Sequence, residues 1–181
     1  GLPPGSLIYT GEYTTEKTGI TLIDYDRERF EERVLEDIEA CREYLDTPTV
    51  SWINIVGLND IDVIRTTGAV FGIHPLVLED VLNSRQRPKT EDYGDYLFLV
   101  FKMLYADRDT GVITTEQISL VFGRGYVLSF QERPQDVFDL IRDRRRSAKG
   151  RIRTGGADYL AYALLDAVVD NYFLVLERYG D

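Results

Sequence analysis

The sequence predicts an α/β domain with a mixed, largely antiparallel sheet and helices on its faces. Strand-like and helical patterns occur along the chain without the strict β-α-β order of a parallel sheet. Three strand-like runs in the second half are separated by short turns, which is typical of antiparallel hairpins. The chain has 181 residues, of which 44% are hydrophobic and 29% charged, values that fit one domain with a good core.

The first quarter of the chain predicts two short strands followed by a helix. Ser6–Thr10 and Ile20–Tyr25 are β-rich, and a polar turn over Thr14–Thr18 separates them. Phe30–Tyr44 has apolar residues at helical spacing, with Glu and Arg residues on the opposite side. We therefore expect an amphipathic helix there, which Pro48 brings to an end.

The middle of the chain predicts a buried strand and two short helices. Thr49–Val56 is β-branched and almost continuously apolar, as expected of a central strand buried on both faces. Asn59 or Asp60 can cap a helix that runs to Phe71. A second helix is predicted over Pro75–Asn83, because proline suits a first helical turn.

The second half predicts three antiparallel strands and two helices. A basic connector, Ser84–Lys89, precedes them; we expect its charges to pair with Glu91, Asp92 or a carboxylate elsewhere. A turn rich in Asp, Thr and Gly separates the first two strands. The predicted strands are Tyr93–Tyr105, Ile113–Phe122 and Tyr126–Gln131, and the predicted helices are Gln135–Ser147 and Ala157–Tyr179.

The final helix is the nearest approach to a membrane span. Leu160–Leu176 is mostly apolar, but Asp166, Asp170 and Asn171 interrupt it, and charges at that depth in lipid are costly. We expect a buried helix of a soluble core, with no membrane contact by this chain. Gly1–Gly5 lacks the basic and apolar regions of a signal peptide, so none is expected.

Composition excludes several classes of function. Acidic residues outnumber basic ones 31 to 21, and the net charge of -10 repels phosphate backbones, so nucleic-acid binding is not expected. The single cysteine, Cys41, excludes an internal disulfide framework and a Cys-rich zinc site. The single histidine, His74, stands at a helix start with no nucleophile motif, so we interpret it as a capping or packed residue. No catalytic residue is predicted.

Glu79 and Asp80 are the first candidate metal ligands. They are adjacent in a short predicted helix, where neighbouring side chains point about 100° apart and cannot easily chelate one ion together. Each could still give one oxygen to Mg²⁺, a hard cation that keeps most of its waters. A solvated helix face is the plainer interpretation of the same residues.

Asp166 and Asp170 are the second candidates. They are four residues apart on one side of a mostly apolar helix, where like charges repel. Burying them there would be costly unless something neutralised them. A bound cation, an arginine from Arg142–Arg146, or a subunit contact would each serve, and the residues alone leave these alternatives open.

Several strings in the chain resemble the CorA magnesium/cobalt transporter family. The most specific are FGIHPLVLEDVLN over Phe71–Asn83 and RQRPK over Arg85–Lys89. The similarity extends over essentially the whole chain. Further matching segments are Gly1–Gly11, Phe98–Met103, Glu116–Leu120 and Ala157–Leu160, with Asp166 and Asp170.

This resemblance implies a fold and a function. The family's large cytoplasmic N-terminal domain is an α/β/α sandwich in a homopentameric channel, with divalent cations (Mg²⁺, Co²⁺) between subunits that stabilise the closed state. Asp80 matches the principal carboxylate of that site, with Glu79 beside it. Asp166 matches an accessory cation position that Asp170 could share. The resemblance implies a location on the cytoplasmic face of the cell membrane.

The chain departs from the family at its end, and other functions stay open. We expect a single domain over residues 1–181, whose final helix from about residue 157 leads toward a stalk helix absent from this chain, along with the membrane helices and their Gly-Met-Asn motif. By itself such a fragment cannot conduct ions, and it could be monomeric. The alternatives are a zinc-transporting member of the family, a soluble carboxylate-metal hydrolase and a plain protein-interaction module.

Overall fold

A computed structural model of the chain describes residues 1–147 and 153–180. Within these residues, strands and helices follow in an order that does not alternate strictly. The strands are β1 Gly19–Tyr25, β2 Phe30–Leu35, β3 Val50–Val56, β4 Lys89–Asp92, β5 Tyr96–Ala106, β6 Ile113–Gly123 and β7 Tyr126–Gln131. The helices are a 3₁₀ helix Ile38–Tyr44, α1 Ile61–Phe71, α2 Pro75–Leu82, α3 Asp139–Arg146 and α4 Ala157–Tyr179.

The strands of the described residues form one sheet in the order β2-β1-β3-β7-β6-β5-β4. Neighbouring strands are antiparallel except β3 and β7, which are parallel. The predicted mixed, largely antiparallel sheet is therefore confirmed. The run predicted as a central strand, Thr49–Val56, is confirmed as β3, and its residues Ser51–Ile55 are all buried.

Helices cover both faces of this sheet and enclose two hydrophobic cores. On one face α1, α2 and the 3₁₀ helix pack on β1, β3 and β5, burying residues such as Ile55 and Leu82 completely. On the other face α3 and α4 pack around Trp52 and Leu164. The molecule is thus an α/β/α sandwich, as the family resemblance implies.

The predicted helix over Phe30–Tyr44 is wrong, because its first part is strand β2. The Asp26 carboxylate accepts hydrogen bonds from the backbone N–H groups of Glu28 and Arg29 at 2.8 and 2.7 Å, and this turn sends the chain back along β1. At the sheet edge Val34 stays 75% exposed. The helical spacing arose because the apolar residues of a strand are followed directly by those of a 3₁₀ helix.

Other boundaries also differ from the prediction. Ser6–Thr10 is not a strand but an irregular segment, whose end is held by a hydrogen bond from the Thr10 N–H to the Leu82 carbonyl at 3.0 Å. The strand expected from Tyr93 begins later, since Gly94, at φ +84°, makes the turn of a β4–β5 hairpin that the sequence did not reveal.

The helix predicted over Gln135–Ser147 is shorter at its start, since α3 begins only at Asp139. The Asp136 carboxylate shapes the segment before it by accepting a hydrogen bond from the Phe138 N–H at 3.0 Å and pairing with Arg142 at 2.7 Å. These contacts pair the backbone N–H of Phe138 and the charge of Asp136 before the helix begins. The sequence pattern shows only polar residues there, so it does not predict the later start.

Helix α4 has one buried and one exposed side. Leu160, Leu164 and Val168 are buried against the sheet, while Tyr162 and Phe173 are more than 60% exposed on the outer side. Among the described residues it is the one helix long and apolar enough to cross a membrane, a property that core helices of soluble proteins share. The predicted buried helix is therefore confirmed only for the side that faces the sheet; the outer side, with Leu174 and Leu176, is exposed.

Replacing Leu164 by alanine tests how much the packing of α4 contributes to stability. The side chain is 0% exposed, so Leu164→Ala should lower the free energy of unfolding. Cavity-forming substitutions of this kind cost about 2–5 kcal/mol. Leu174 on the same helix is 59% exposed; its alanine variant should change stability by less than ~0.5 kcal/mol. Urea denaturation followed by circular dichroism measures both, and equal losses would contradict the packing of α4.

Candidate functional site

Helix α2 is fixed at both of its ends. Pro75 occupies its first turn, and the Nδ1 atom of His74 accepts a hydrogen bond from the Leu76 N–H at 3.1 Å, so the capping role predicted for His74 is confirmed. At the other end the side-chain amide of Gln86 donates to the Asp80 carbonyl. The apolar side of α2 faces the sheet, which leaves its two carboxylates half-buried at the outer side.

The carboxylates of Glu79 and Asp80 point to different partners. The Oε2 atom of Glu79 accepts a hydrogen bond from the backbone N–H of Gly5 at 2.6 Å and thereby anchors the N-terminal segment. The Oδ2 atom of Asp80 lies 2.5 Å from the ammonium of Lys89 on β4. This divergence agrees with the angle of about 100° between adjacent helical residues, since the two groups do not face one common ion.

The Lys89 ammonium joins Asp80 to the edge of the sheet. It also lies 2.5 Å from Glu91 Oε1, which confirms the pairing of the basic connector with Glu91, and it stands 5.7 Å from the centre of the Phe98 ring. Burial disfavours the charged form of Lys89, but hydrogen bonds to Asp80 and Glu91 outweigh this effect and raise its pKa. The carboxylate of Asp80, which the resemblance implies is a cation ligand, is therefore already paired with the Lys89 ammonium.

Asp166 and Asp170 lie on α4, on the opposite face of the sheet from Asp80. Both are exposed and line a cavity of about 470 Å³ whose other walls include Arg144 and Arg145. Over residues 1–147 and 153–180 neither aspartate has an ion pair within 4 Å. Exposure to water is what makes this pair of like charges tolerable.

Two of the arginines proposed to neutralise Asp166 and Asp170 pair with other carboxylates. Arg142 pairs with Asp136 at 2.7 Å and Asp139 at 2.9 Å, and Arg146 pairs with Glu32 at 2.6 Å. Arg144 and Arg145 line the same cavity, but neither forms an ion pair within 4 Å with Asp166 or Asp170. Among the described residues no arginine therefore neutralises the two carboxylates, and water solvates them.

The four candidate ligands thus lie at two separate positions, one on each face of the sheet. No group of three or more His, Cys, Asp or Glu side chains that could hold a metal occurs in the described part of the chain. A hydrolytic metal centre needs several convergent protein ligands and an open position. One or two carboxylates fit Mg²⁺, which binds through few protein oxygens and keeps several waters.

Sequence reasoning gave no role to Glu116, which is the one buried acidic residue in the described part of the chain. It is 3% exposed in β6; its Oε1 atom accepts a hydrogen bond from the Arg133 N–H at 3.1 Å, while its Oε2 atom has no partner among the described residues. Burial, with a smaller contribution from the charge of Glu132, raises the pKa of Glu116 to about 8. Only the position of a glutamate inside a predicted strand could have signalled this.

The pKa of Glu116 predicts that stability falls as the pH rises toward 8. Between the ordinary pKa of 4.5 and about 8, the folded chain holds a proton that the unfolded chain has lost. Such a group costs up to about 1.4 kcal/mol per pH unit in this window. In Glu116→Gln this slope should disappear, while the neutral side chain can still accept from Arg133.

Urea denaturation between pH 5 and pH 9 measures this slope. The exposed Glu177 is a matched control, since Glu177→Gln removes the same charge from the surface of α4. Identical slopes in Glu116→Gln and the wild type would contradict the raised pKa of Glu116.

Comparison with known proteins identifies relatives of this fold. The chain is 47% identical over 181 residues to the cobalt/magnesium transport protein CorA of Thermotoga maritima, covering 100% of this chain and 51% of that protein. It aligns with full-length CmaX at a TM-score of 0.73 and 14% identity, covering 94% of this chain and 51% of CmaX. It aligns with the soluble domain of CorA from Methanocaldococcus jannaschii at a TM-score of 0.64 and 18% identity, covering 90% and 60% of the two chains.

The two structural alignments establish the class of molecule, a domain with the fold of the CorA soluble domain. Residues 49–181 also match the family model described as CorA-like Mg²⁺ transporter protein. The chain belongs to this family. It spans about half the length of the Thermotoga relative that it matches.

Proposed function

We propose that this chain is the cytoplasmic Mg²⁺-sensing domain of a divalent-cation (Mg²⁺/Co²⁺) channel. The observation that carries the proposal is the position of Asp80. It is a half-buried carboxylate, 27% exposed, within the most specific family string, and its charge is balanced by an ammonium 2.5 Å away. A partly desolvated carboxylate is stabilised by a positive charge close by; Lys89 supplies that charge in the folded chain, and a divalent cation would supply it in its place.

The regulatory step follows from the charge of the whole domain. With a net charge of -10, copies of this chain repel one another when their acidic surfaces approach. A divalent cation held at Asp80 between neighbouring subunits of a homopentamer would offset that repulsion and stabilise the closed ring. When cytosolic Mg²⁺ falls, the cation leaves and the closed ring is no longer stabilised.

Asp166 and Asp170 support a second, weaker cation position. Both carboxylates are exposed on α4, and i, i+4 spacing sets them on one side of the helix. A hydrated Mg²⁺ near them would relieve their mutual repulsion without being fully desolvated. We assign Asp166 as the main ligand there, with Asp170 assisting.

The donor set favours Mg²⁺ over Zn²⁺ as the ion that the domain senses. The proposed ligands are carboxylate oxygens, which suit hard cations, whereas zinc sites usually contain histidine or cysteine. The single histidine uses Nδ1 to cap α2, and the single cysteine, Cys41, is buried. Transport assays of the full-length parent with Mg²⁺, Co²⁺ and Zn²⁺ would decide which ion passes.

Titration of the ¹⁵N-labelled chain with MgCl₂ tests the two positions separately. Amide shifts on α2 should report the Asp80 position and those on α4 the Asp166 position. Midpoints of about 10⁻⁴–10⁻³ M are expected for sites with so few carboxylates. Asp80→Asn should weaken only the α2 response, and Asp166→Asn only the α4 response, each by at least about five-fold, because each variant removes one charged ligand.

The matched control is Asp62→Asn, which removes an exposed carboxylate from α1 that pairs with Arg65 at 2.5 Å. Its midpoints should equal those of the wild type. Shifts that respond equally in Asp62→Asn, Asp80→Asn and Asp166→Asn would mean that Mg²⁺ only screens the acidic surface, and the proposed sensing role would fail.

A further inference from the structure

Lys89 occupies the place where a divalent cation would meet Asp80. Its ammonium lies 2.5 Å from Asp80 Oδ2 and 2.5 Å from Glu91 Oε1, and the three side chains are only 33%, 27% and 37% exposed. Ion pairs that are partly shielded from water are stronger than fully exposed ones. An incoming cation at Asp80 therefore meets a carboxylate that is already neutralised.

Neighbouring side chains keep the Lys89 ammonium near Asp80, and Glu91 is its second partner. The ammonium stands 5.7 Å from the ring centre of Phe98, a residue with 0% exposure, so the lysine is confined to this part of the surface. Glu91 follows two residues later on β4, on the same side of the strand, and receives a hydrogen bond from the Tyr93 hydroxyl at 3.2 Å. Glu91 can thus keep the ammonium when Asp80 releases it.

We propose that Lys89 is a tethered competitor cation that sets the affinity of Asp80 for divalent cations. In the metal-free chain its ammonium pairs with both Asp80 and Glu91; when Mg²⁺ binds, repulsion between the two positive charges moves the ammonium away from Asp80, and it keeps only Glu91. Binding then replaces one cation by another at Asp80 instead of filling a bare carboxylate. The exchange weakens the apparent affinity and places the response at higher Mg²⁺ concentrations. This inference rests on the proposed function, since it concerns the same carboxylate.

Neutralising Lys89 tests the competition directly. Lys89→Met keeps an apolar stem beside Phe98 but removes the charge, so the MgCl₂ midpoint of the α2 amide shifts should fall by about five-fold, the size expected for loss of one ion pair. Lys89→Arg keeps the charge and should stay within about two-fold of the wild type. Lys17→Met is the matched control for net charge, because Lys17 pairs with Glu36 on an exposed part of the surface. It should leave the midpoint unchanged.

A second measurement uses the unmodified chain. The side-chain ¹⁵Nζ signal of Lys89 should shift during the MgCl₂ titration with the same midpoint as the α2 amides, because the ammonium loses Asp80 as one of its two partners. The corresponding signal of Lys17 should follow only the ionic strength, as a matched titration with NaCl would show. A Lys89 signal that ignores Mg²⁺ while the α2 amides respond would overturn the exchange, even if Lys89→Met did not fold.

The outcomes separate the two proposals. If Asp80→Asn abolishes the α2 response but Lys89→Met and Lys17→Met have the wild-type midpoint, the competitor role fails and the proposed function stands. A higher midpoint in Lys89→Met would show that the lysine positions Asp80 for the metal, which also overturns the competition. If neither the wild type nor Lys89→Met shows a response that depends on Asp80, the proposed function itself fails at this position.

Discussion

The parallel pairing of β3 with β7 is the contact on which the rest of the molecule depends. It joins the N-terminal strands β2, β1 and β3 to the antiparallel series β7, β6, β5 and β4, which would otherwise be two sheets with open edges. A buried relay of hydrogen bonds holds this seam, from the Trp52 indole to the Ser129 hydroxyl at 2.9 Å and from that hydroxyl to Asn54 Oδ1 at 2.6 Å. Because satisfied buried polar groups tolerate few other arrangements, the relay also fixes the register of the two strands.

The position of Asp80 follows from this seam. Parallel strands cannot be joined by a tight turn, so the chain between β3 and β7 travels over one face as α1 and α2, reaches the far edge as β4 and returns through β5 and β6. Helix α2 therefore ends where the edge strand begins, which brings Asp80 within 2.5 Å of Lys89. Charged residues on an edge strand also discourage pairing with other sheets, so Lys89 and Glu91 serve the fold as well as the candidate site.

Sequence patterns predicted those parts of the fold that local chemistry specifies. The continuous β-branched run of β3 and the proline and histidine at the start of α2 were sufficient for their elements. Strand β2 was not predicted, because its pairing with β1 depends on a turn at Asp26, outside the periodic pattern. Helical geometry correctly separated Glu79 from Asp80. The contact of Asp80 with Lys89 and the burial of Glu116 arise only after the strands have paired, so no spacing in the sequence reveals them.

The two proposed cation positions differ in how much water reaches them, and this difference decides how each would respond. Asp80 is 27% exposed and pairs with Lys89 in the folded chain, so the proposed binding of a divalent cation there would be an exchange between cations. Asp166 and Asp170 are exposed and have no ion pair among the described residues, so water already stabilises their charges and a cation displaces nothing. The cation affinity at Asp80 would depend on the competing lysine, whereas the cation affinity at Asp166 and Asp170 would depend mainly on screening by salt. Under the proposed competition, the Mg²⁺ concentration at which the α2 position responds would therefore be set by Lys89.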